Sequence, residues 1–217
     1  MTKVYFVRHA KPDFSVKDDL IRPLTEEAIN DCRKVTEFLS DKNITKVFSS
    51  PYKRSFDTIK DFAESLKLKI NVIEDFRERK ISNEWIEDFN KFAKEQWNNY
   101  DYKLPEGESL SEVQKRNIKA LMNILKENIE ENIVIGSHGT ALSTIINYFN
   151  KEFDYIEFER IKNLMPLIVC FTFNGQEIVN IEEFIIRCVN GGIYGKRIIR
   201  NDLGRIVGTI SYYFKRT

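Results

Sequence analysis

Lys3-Val4-Tyr5-Phe6-Val7-Arg8-His9-Ala10 is the stretch on which the reading of this chain turns. Lys3 to Val7 is a short β-branched and aromatic run of the kind that forms a buried strand. An arginine and a histidine follow directly at its C-terminal end. Histidine occurs only twice in the 217 residues. The second, His138, lies in Gly136-Ser137-His138-Gly139, again directly after a strand-like run, Ile133 to Ile135. In open α/β sheets, ligands bind outside the carboxyl ends of the strands. Imidazole is also the side chain best suited to nucleophilic or proton-transfer work near neutral pH.

On either side of these runs the chain alternates strand and helix. Pro23-Leu24-Thr25-Glu26-Glu27 predicts a helix start, with Thr25 as N-cap and two glutamates at the positive end of the dipole. Ala28, Cys32, Val35, Phe38 and Leu39 then recur with helical spacing. Lys46 to Phe48 is a second strand, stopped by Ser49-Ser50-Pro51, and a helix follows through Phe56, Ile59, Phe62, Ala63 and Leu66. Lys69 to Ile73 is a third strand. Trp85, Ile86, Phe89, Phe92, Ala93 and Trp97 share one helical face, either the core face of a covering helix or a lid. A lid would favour an apolar or aromatic leaving group. Ser109-Leu110-Ser111-Glu112 predicts a capping box opening a helix to about Glu130. A helix from Thr140 to Phe149 follows the fourth strand. Asn174-Gly175, between Leu167–Phe173 and Glu177–Ile181, signals a hairpin.

This order implies an α/β fold with a mainly parallel sheet and helices on both faces. The last stretch is rich in glycine. Ile193–Ile199 and Arg205–Phe214 flank Asn201-Asp202-Leu203-Gly204 as a second hairpin. The expected organisation is a domain over residues 1–186 and a C-terminal β-hairpin-like extension over 187–217. The lysines and arginines of that extension read as charge protecting an exposed edge.

Lys and Arg number 34 against 33 Asp and Glu, a net charge of +1, which gives no case for binding nucleic acid or an anionic membrane surface. Cys32, Cys170 and Cys188 are odd in number and lack C-x-x-C spacing, as expected of reduced thiols in a cytoplasmic protein. No charged-then-apolar leader opens the sequence, so no signal peptide is expected. No apolar run has the length of a membrane helix.

Three strand ends therefore offer a cationic or imidazole group: Arg8 with His9, Arg54, and His138. A parallel sheet gathers such ends along one edge. Two guanidiniums and two imidazoles around one point suit a dianion, most naturally a phosphoryl group. Gly139, next to His138, points to a close approach to the backbone. No Gly-x-x-x-x-Gly-Lys-Ser/Thr loop is present, and no cluster has metal-ligand spacing. No metal and no cofactor is expected.

Six segments in order resemble the histidine phosphatase superfamily, also called phosphoglycerate mutase-like. They are Val7-Arg8-His9-Ala10, Arg22-Pro23-Leu24-Thr25, the segment Ser49 to Thr58 that contains Arg54, Phe76-Arg77-Glu78, Gly107-Glu108-Ser109, and Ser137-His138-Gly139. Together they cover roughly residues 3 to 185. The resemblance implies a three-layer sandwich. It makes His9 the nucleophile that carries a phosphohistidine, and makes Arg8, Arg54 and His138 the phosphate-binding groups. It makes Glu78 the carboxylate that protonates the leaving alkoxide and then activates water. After Glu78 the family's Gly-x-Trp-x-Gly is replaced by Lys80-Ile81-Ser82-Asn83-Glu84-Trp85, which leaves Glu84 in competition for that role. Glu108 is a supporting candidate, with helix-entry chemistry as the reading preferred over it.

The expected function is hydrolysis of a small-molecule phosphate ester. Phosphoglycerate mutase activity is the first alternative. Against it, Ala10-Lys11-Pro12-Asp13-Phe14-Ser15 lacks the Ser/Thr-x-Trp-Asn stretch of the family's mutases, and the chain is short between Glu78 and Glu108. A noncatalytic phospho-ligand binding protein is the second alternative, opposed by the retention of both histidines, both arginines and an acid.

Overall fold

The computed structural model describes residues 1–83, 86–189, 192–200 and 206–214, from 187 onward by their backbone alone. Thr2–Arg8 forms β1, and its side chains alternate between two buried faces. Val4 and Phe6 enter one core and Tyr5 and Val7 the other. A strand covered on both sides reads as a continuous apolar run, which is why Lys3 to Val7 lacks polar alternation. The other strands are β2 (Lys46–Ser49), β3 (Ile70–Val72), β4 (Asn132–Ser137), β5 (Leu167–Asn174), β6 (Glu177–Val189), β7 (Gly192–Arg200) and β8 (Ile206–Phe214).

They form one sheet in the order β3-β2-β4-β1-β5-β6-β7-β8. The first four run parallel, and β5 to β8 are antiparallel. Helices α1 (Ala28–Leu39) and α2 (Lys53–Ser65) cover one face through Val35, Phe38, Ile59 and Phe62. Helices α3 (Phe89–Asn98), α4 (Leu110–Glu127), α5 (Gly139–Phe149) and α6 (Tyr155–Ile161) share the other core with Phe6, Ile135 and Phe171. The expected α/β architecture with helices on both faces is thus present. β6 runs continuously through residues 186 and 187, and β7 and β8 follow it in the same sheet. The expected turn at 201–204 lies outside the described residues.

Several local expectations shift. The helix expected to start at Thr25 begins at Ala28, with no side-chain cap. Leu24 bridges to Pro12 and the Thr25 amide donates to Lys11 O (3.0 Å), so these residues stay pinned to the loop after His9. The stripe expected from Trp85 coils only from Phe89, behind the N-cap Asp88. Trp85 itself lies outside the described residues. The capping box at Ser109 and Glu112 is formed on both sides, and its helix ends at Glu127. The hairpin after β5 turns on Gly175-Gln176, one residue later than expected. Only Gly175 has positive φ there (60°), and glycine meets that requirement without strain. Helix α6 was not expected; Asp154 caps it by accepting from the Ile156 and Glu157 amides.

Candidate active site

Parallel pairing brings the expected groups together. In register, Arg8 lies opposite Ser137 and Ser49 opposite Gly136, so β1, β2 and β4 end side by side. Beyond the strands, the His9 amide donates to Ser137 O and the Ser50 amide to Gly136 O, each at 3.1 Å. Thr58 on α2 locks this edge: the Ala10 amide donates to its Oγ1 (3.0 Å), which donates to Arg54 O (2.7 Å).

His9 and His138 face each other edge to face, 5.3 Å between ring centroids. His9 Nδ1 is 2.7 Å from Ala10 O, so Nδ1 carries the proton and donates to that carbonyl. Nε2 is thereby left with its lone pair, which accepts from Arg54 Nε at 3.2 Å. That is the tautomer a nucleophile requires. His138 Nε2 is 2.6 Å from Ser50 Oγ, which also accepts from the Tyr52 amide (3.2 Å). Burial, then the Arg54 guanidinium, holds both imidazoles well below the usual histidine range, so both are neutral at pH 7.

This neutrality has a stability consequence with a definite sign. Below pH ~6.5 the unfolded chain binds a proton on each imidazole while the folded chain does not. Stability is therefore unaffected by these groups above that pH and falls as pH drops from there toward the lowered folded values. Two such groups give a slope of up to about 2.7 kcal/mol per pH unit. Urea unfolding at pH 7, 6 and 5 measures it. Saturating phosphate, which favours protonated imidazoles, is expected to flatten the slope.

Arg8 is buried, and its Nη1 donates to Ile161 O (2.8 Å) and Leu164 O (3.3 Å) at the end of α6. Its guanidinium lies flat against Gly139, where an added Cβ would stand 2.9 Å from Nη2 and 3.0 Å from Cζ. The close approach anticipated at Gly139 is therefore made by Arg8. Gly139→Ala is expected to push the guanidinium off its seat. The loss of a charge-assisted contact to phosphate is about 1.5–3 kcal/mol, read as a rise of at least tenfold in the inhibition constant of inorganic phosphate. Arg54 donates through Nη1 to Asp19 O (2.6 Å) and meets Asp19 Oδ1 at 3.1 Å, and Arg22 Nη1 reaches the same Oδ1 at 2.5 Å.

Glu78 sits at the N-terminus of α5. Its Oε2 accepts from the Thr140 amide (2.9 Å), and its Oε1 accepts from the Ala141 amide (3.0 Å) and the Arg79 amide (2.7 Å). First-turn amides have no intrahelical acceptor, so a carboxylate fits there. Oε1 has both lone pairs occupied and Oε2 has one free. Glu108 holds the loop beneath. It accepts from Arg116 Nε (2.9 Å), Arg116 Nη2 (3.0 Å), Arg77 Nη2 (2.8 Å) and the Lys80 amide (3.0 Å). Ser109, its neighbour, performs the helix capping. Glu84 lies outside the described residues. Lys11 is exposed, 3.7 Å from Glu27. Among the described residues, no group of three or more His, Cys, Asp or Glu could hold a metal ion.

The family model of the histidine phosphatase superfamily, branch 1, matches residues 4–182. The chain belongs to this superfamily. Among curated relatives, a probable phosphoglycerate mutase GpmB of Serratia proteamaculans is 30% identical over 161 residues, covering 68% of this chain and 74% of that protein. Among solved structures, YhfR of Bacillus stearothermophilus superposes with a TM-score of 0.69 at 19% identity, covering 82% of this chain and 95% of that one. A mutant phosphoserine phosphatase of Entamoeba histolytica, in complex with phosphoserine, gives 0.66 at 22%, covering 82% and 94%. These two show that the histidine phosphatase fold is shared.

Four members of this edge were not singled out as site residues from the sequence: Asp19, Arg22, Ser50 and Tyr52. Tyr52 packs edge-on to His138 (5.1 Å), with the Arg54 guanidinium 4.9 Å from its ring centre. Burial, then the Asp19 and Glu78 carboxylates, pushes its phenol up to about 12. Ser50, Tyr52 and Arg22 lie inside quoted segments, but nothing in their spacing separates a side chain facing the site from one facing solvent. The stripe from Phe89 to Trp97 is largely core: Phe92 and Ala93 are buried, and Trp97 packs at a tilt against Phe153 and Phe158. No helix among the described residues is long and apolar enough to cross a membrane.

Proposed function

We propose that this histidine phosphatase superfamily member is a phosphomonoesterase acting on a small phosphorylated molecule through a phosphohistidine on His9. The observation that carries this reading is the tautomer of His9, with Nδ1–H held by Ala10 O and the Nε2 lone pair accepting from the Arg54 guanidinium. Arg8, Arg54 and His138 surround that nitrogen with the charge and donors a phosphoryl group requires. Phosphoryl transfer depends chiefly on in-line positioning and on neutralising the equatorial oxygens, and here side chains supply both.

In the first step His9 Nε2 attacks phosphorus, the bond to the ester oxygen breaks, and the proton on Glu78 Oε2 passes to the departing alkoxide. In the second, water attacks the phosphohistidine, the N–P bond breaks, and Glu78 takes the water's proton. Every group named lies before residue 165, within a catalytic unit of residues 1–186. Residues 187–217 are an extension that the chemistry does not use, and a cytoplasmic location fits the buried thiols Cys32 and Cys170. A second reading, mutase activity, is favoured by the GpmB relative. Hydrolysis of an aryl phosphate, assayed with and without 3-phosphoglycerate, decides. Aryl alcohol and inorganic phosphate released in equal amounts support the phosphatase. Interconversion of phosphoglycerates outpacing phosphate release supports the mutase.

A further inference from the structure

Gln96 is fully buried on α3, and all its polar capacity toward the Glu78 loop is in use. Its Oε1 accepts from Arg79 Nη1, and its Nε2 donates to Tyr102 O (2.8 Å) and Glu108 O (3.0 Å). Arg79 follows Glu78 in the chain, and its amide donates to Glu78 Oε1. Arg79 is buried, and the Glu78 and Glu108 carboxylates favour its charge through space. The guanidinium lies between the rings of Phe89 (5.6 Å) and Phe92 (5.1 Å), also on α3. Burial pushes its pKa down to about 10, so it stays charged.

An apolar side chain would attach α3 to this loop without burying a charge, and taking a guanidinium out of water is costly. What the arginine adds is direction. The Nη1 hydrogen bond to Gln96 Oε1, together with the contacts to the Phe89 and Phe92 rings, fixes one orientation of the residue whose amide meets the acid. Resting on the reading of Glu78 as the acid, we infer that Arg79 and Gln96 are positioning residues. They clamp α3 to the acid-bearing loop, so that α3 is a fixed wall of the site and not a lid, and the Glu78 carboxylate is held ready against the α5 amides. The second tie, from the Glu108 carboxylate to Arg77, Arg116 and the Lys80 amide, enters the same loop from below. The Glu108 backbone carbonyl joins it to Gln96.

The amides of Thr140 and Ala141 report the carboxylate's position without reference to activity, because Glu78 is what they donate to. In Gln96→Leu and in Arg79→Met, which keeps the packing between the two rings, amide exchange by NMR is expected to accelerate at Thr140 and Ala141. The acceleration is on the order of tenfold or more, with Ile145 and Ile146 in the interior of the same helix unchanged. Turnover of alkyl phosphates is expected to fall on the order of 10- to 100-fold, while the first-turnover release of an acidic aryl alcohol is kept. Unchanged exchange at both amides, or equal loss on both substrates where Glu78→Gln discriminates between them, overturns the clamp. Accelerated exchange together with a Glu78→Gln variant that does not discriminate keeps the clamp and removes the acid assignment.

Discussion

His9→Ala is expected to reduce turnover by on the order of 10⁴-fold or more while leaving a folded protein. Nδ1–H of His9 is held by Ala10 O, which fixes its tautomer and turns the Nε2 lone pair toward the Arg54 guanidinium, while His138 Nε2 is paired with Ser50 Oγ. Truncation at residue 9 removes a buried ring, with a cost of about 1–2 kcal/mol at pH 7. It also removes one of the two neutral imidazoles, so the variant is expected to lose stability about half as steeply as the wild type below pH ~6.5. Wild-type protein incubated with phosphate-labelled substrate and quenched in alkali should carry an acid-labile label on residue 9. Label on any other residue, or full activity in His9→Ala, ends the phosphohistidine mechanism.

The groups legible in the sequence are those whose placement follows from strand periodicity. Arg8, His9 and His138 each sit one to three positions past an apolar run, and a parallel sheet must deliver them to one edge. Gly139 was legible as a close approach because a missing Cβ is a statement about space, although the approaching group, Arg8, was not. What could not be read are contacts between side chains and distant backbone. Arg8 is held by carbonyls at the end of α6, more than 150 residues away, and no pattern in either segment refers to the other. Glu78 is fixed by amides of α5 that any sequence would supply. Thr25 misled for a related reason. Its cap chemistry is correct locally, but pairing of Leu24 with Pro12 draws those residues out of the helix. The aromatic stripe resolved toward its bland reading, since Trp97 faces Phe153 and Phe158 in the core.

Glu78→Gln is expected to slow alkyl phosphates far more than aryl phosphates with acidic leaving groups. A general acid contributes about 10²–10⁴-fold, and only where the departing oxygen requires a proton. An aryl oxygen that leaves as a stable anion bypasses that need in the first step. The geometry adds a constraint. In the variant, the amide oxygen can still accept from Arg79 and Ala141, but the new NH2 faces the Thr140 amide, donor against donor. A cost of about 1–3 kcal/mol in stability is therefore expected beside the kinetic effect, separable from it because a misfolded fraction lowers both substrates equally. Water activation in the second step still requires the carboxylate. Aryl substrates should then show a burst of alcohol, one equivalent per site, followed by a slow steady state with His9 phosphorylated. Glu84→Gln made in parallel tests the competing carboxylate. Equal losses on both substrate classes in Glu78→Gln, with a leaving-group-dependent loss in Glu84→Gln, would move the acid to residue 84.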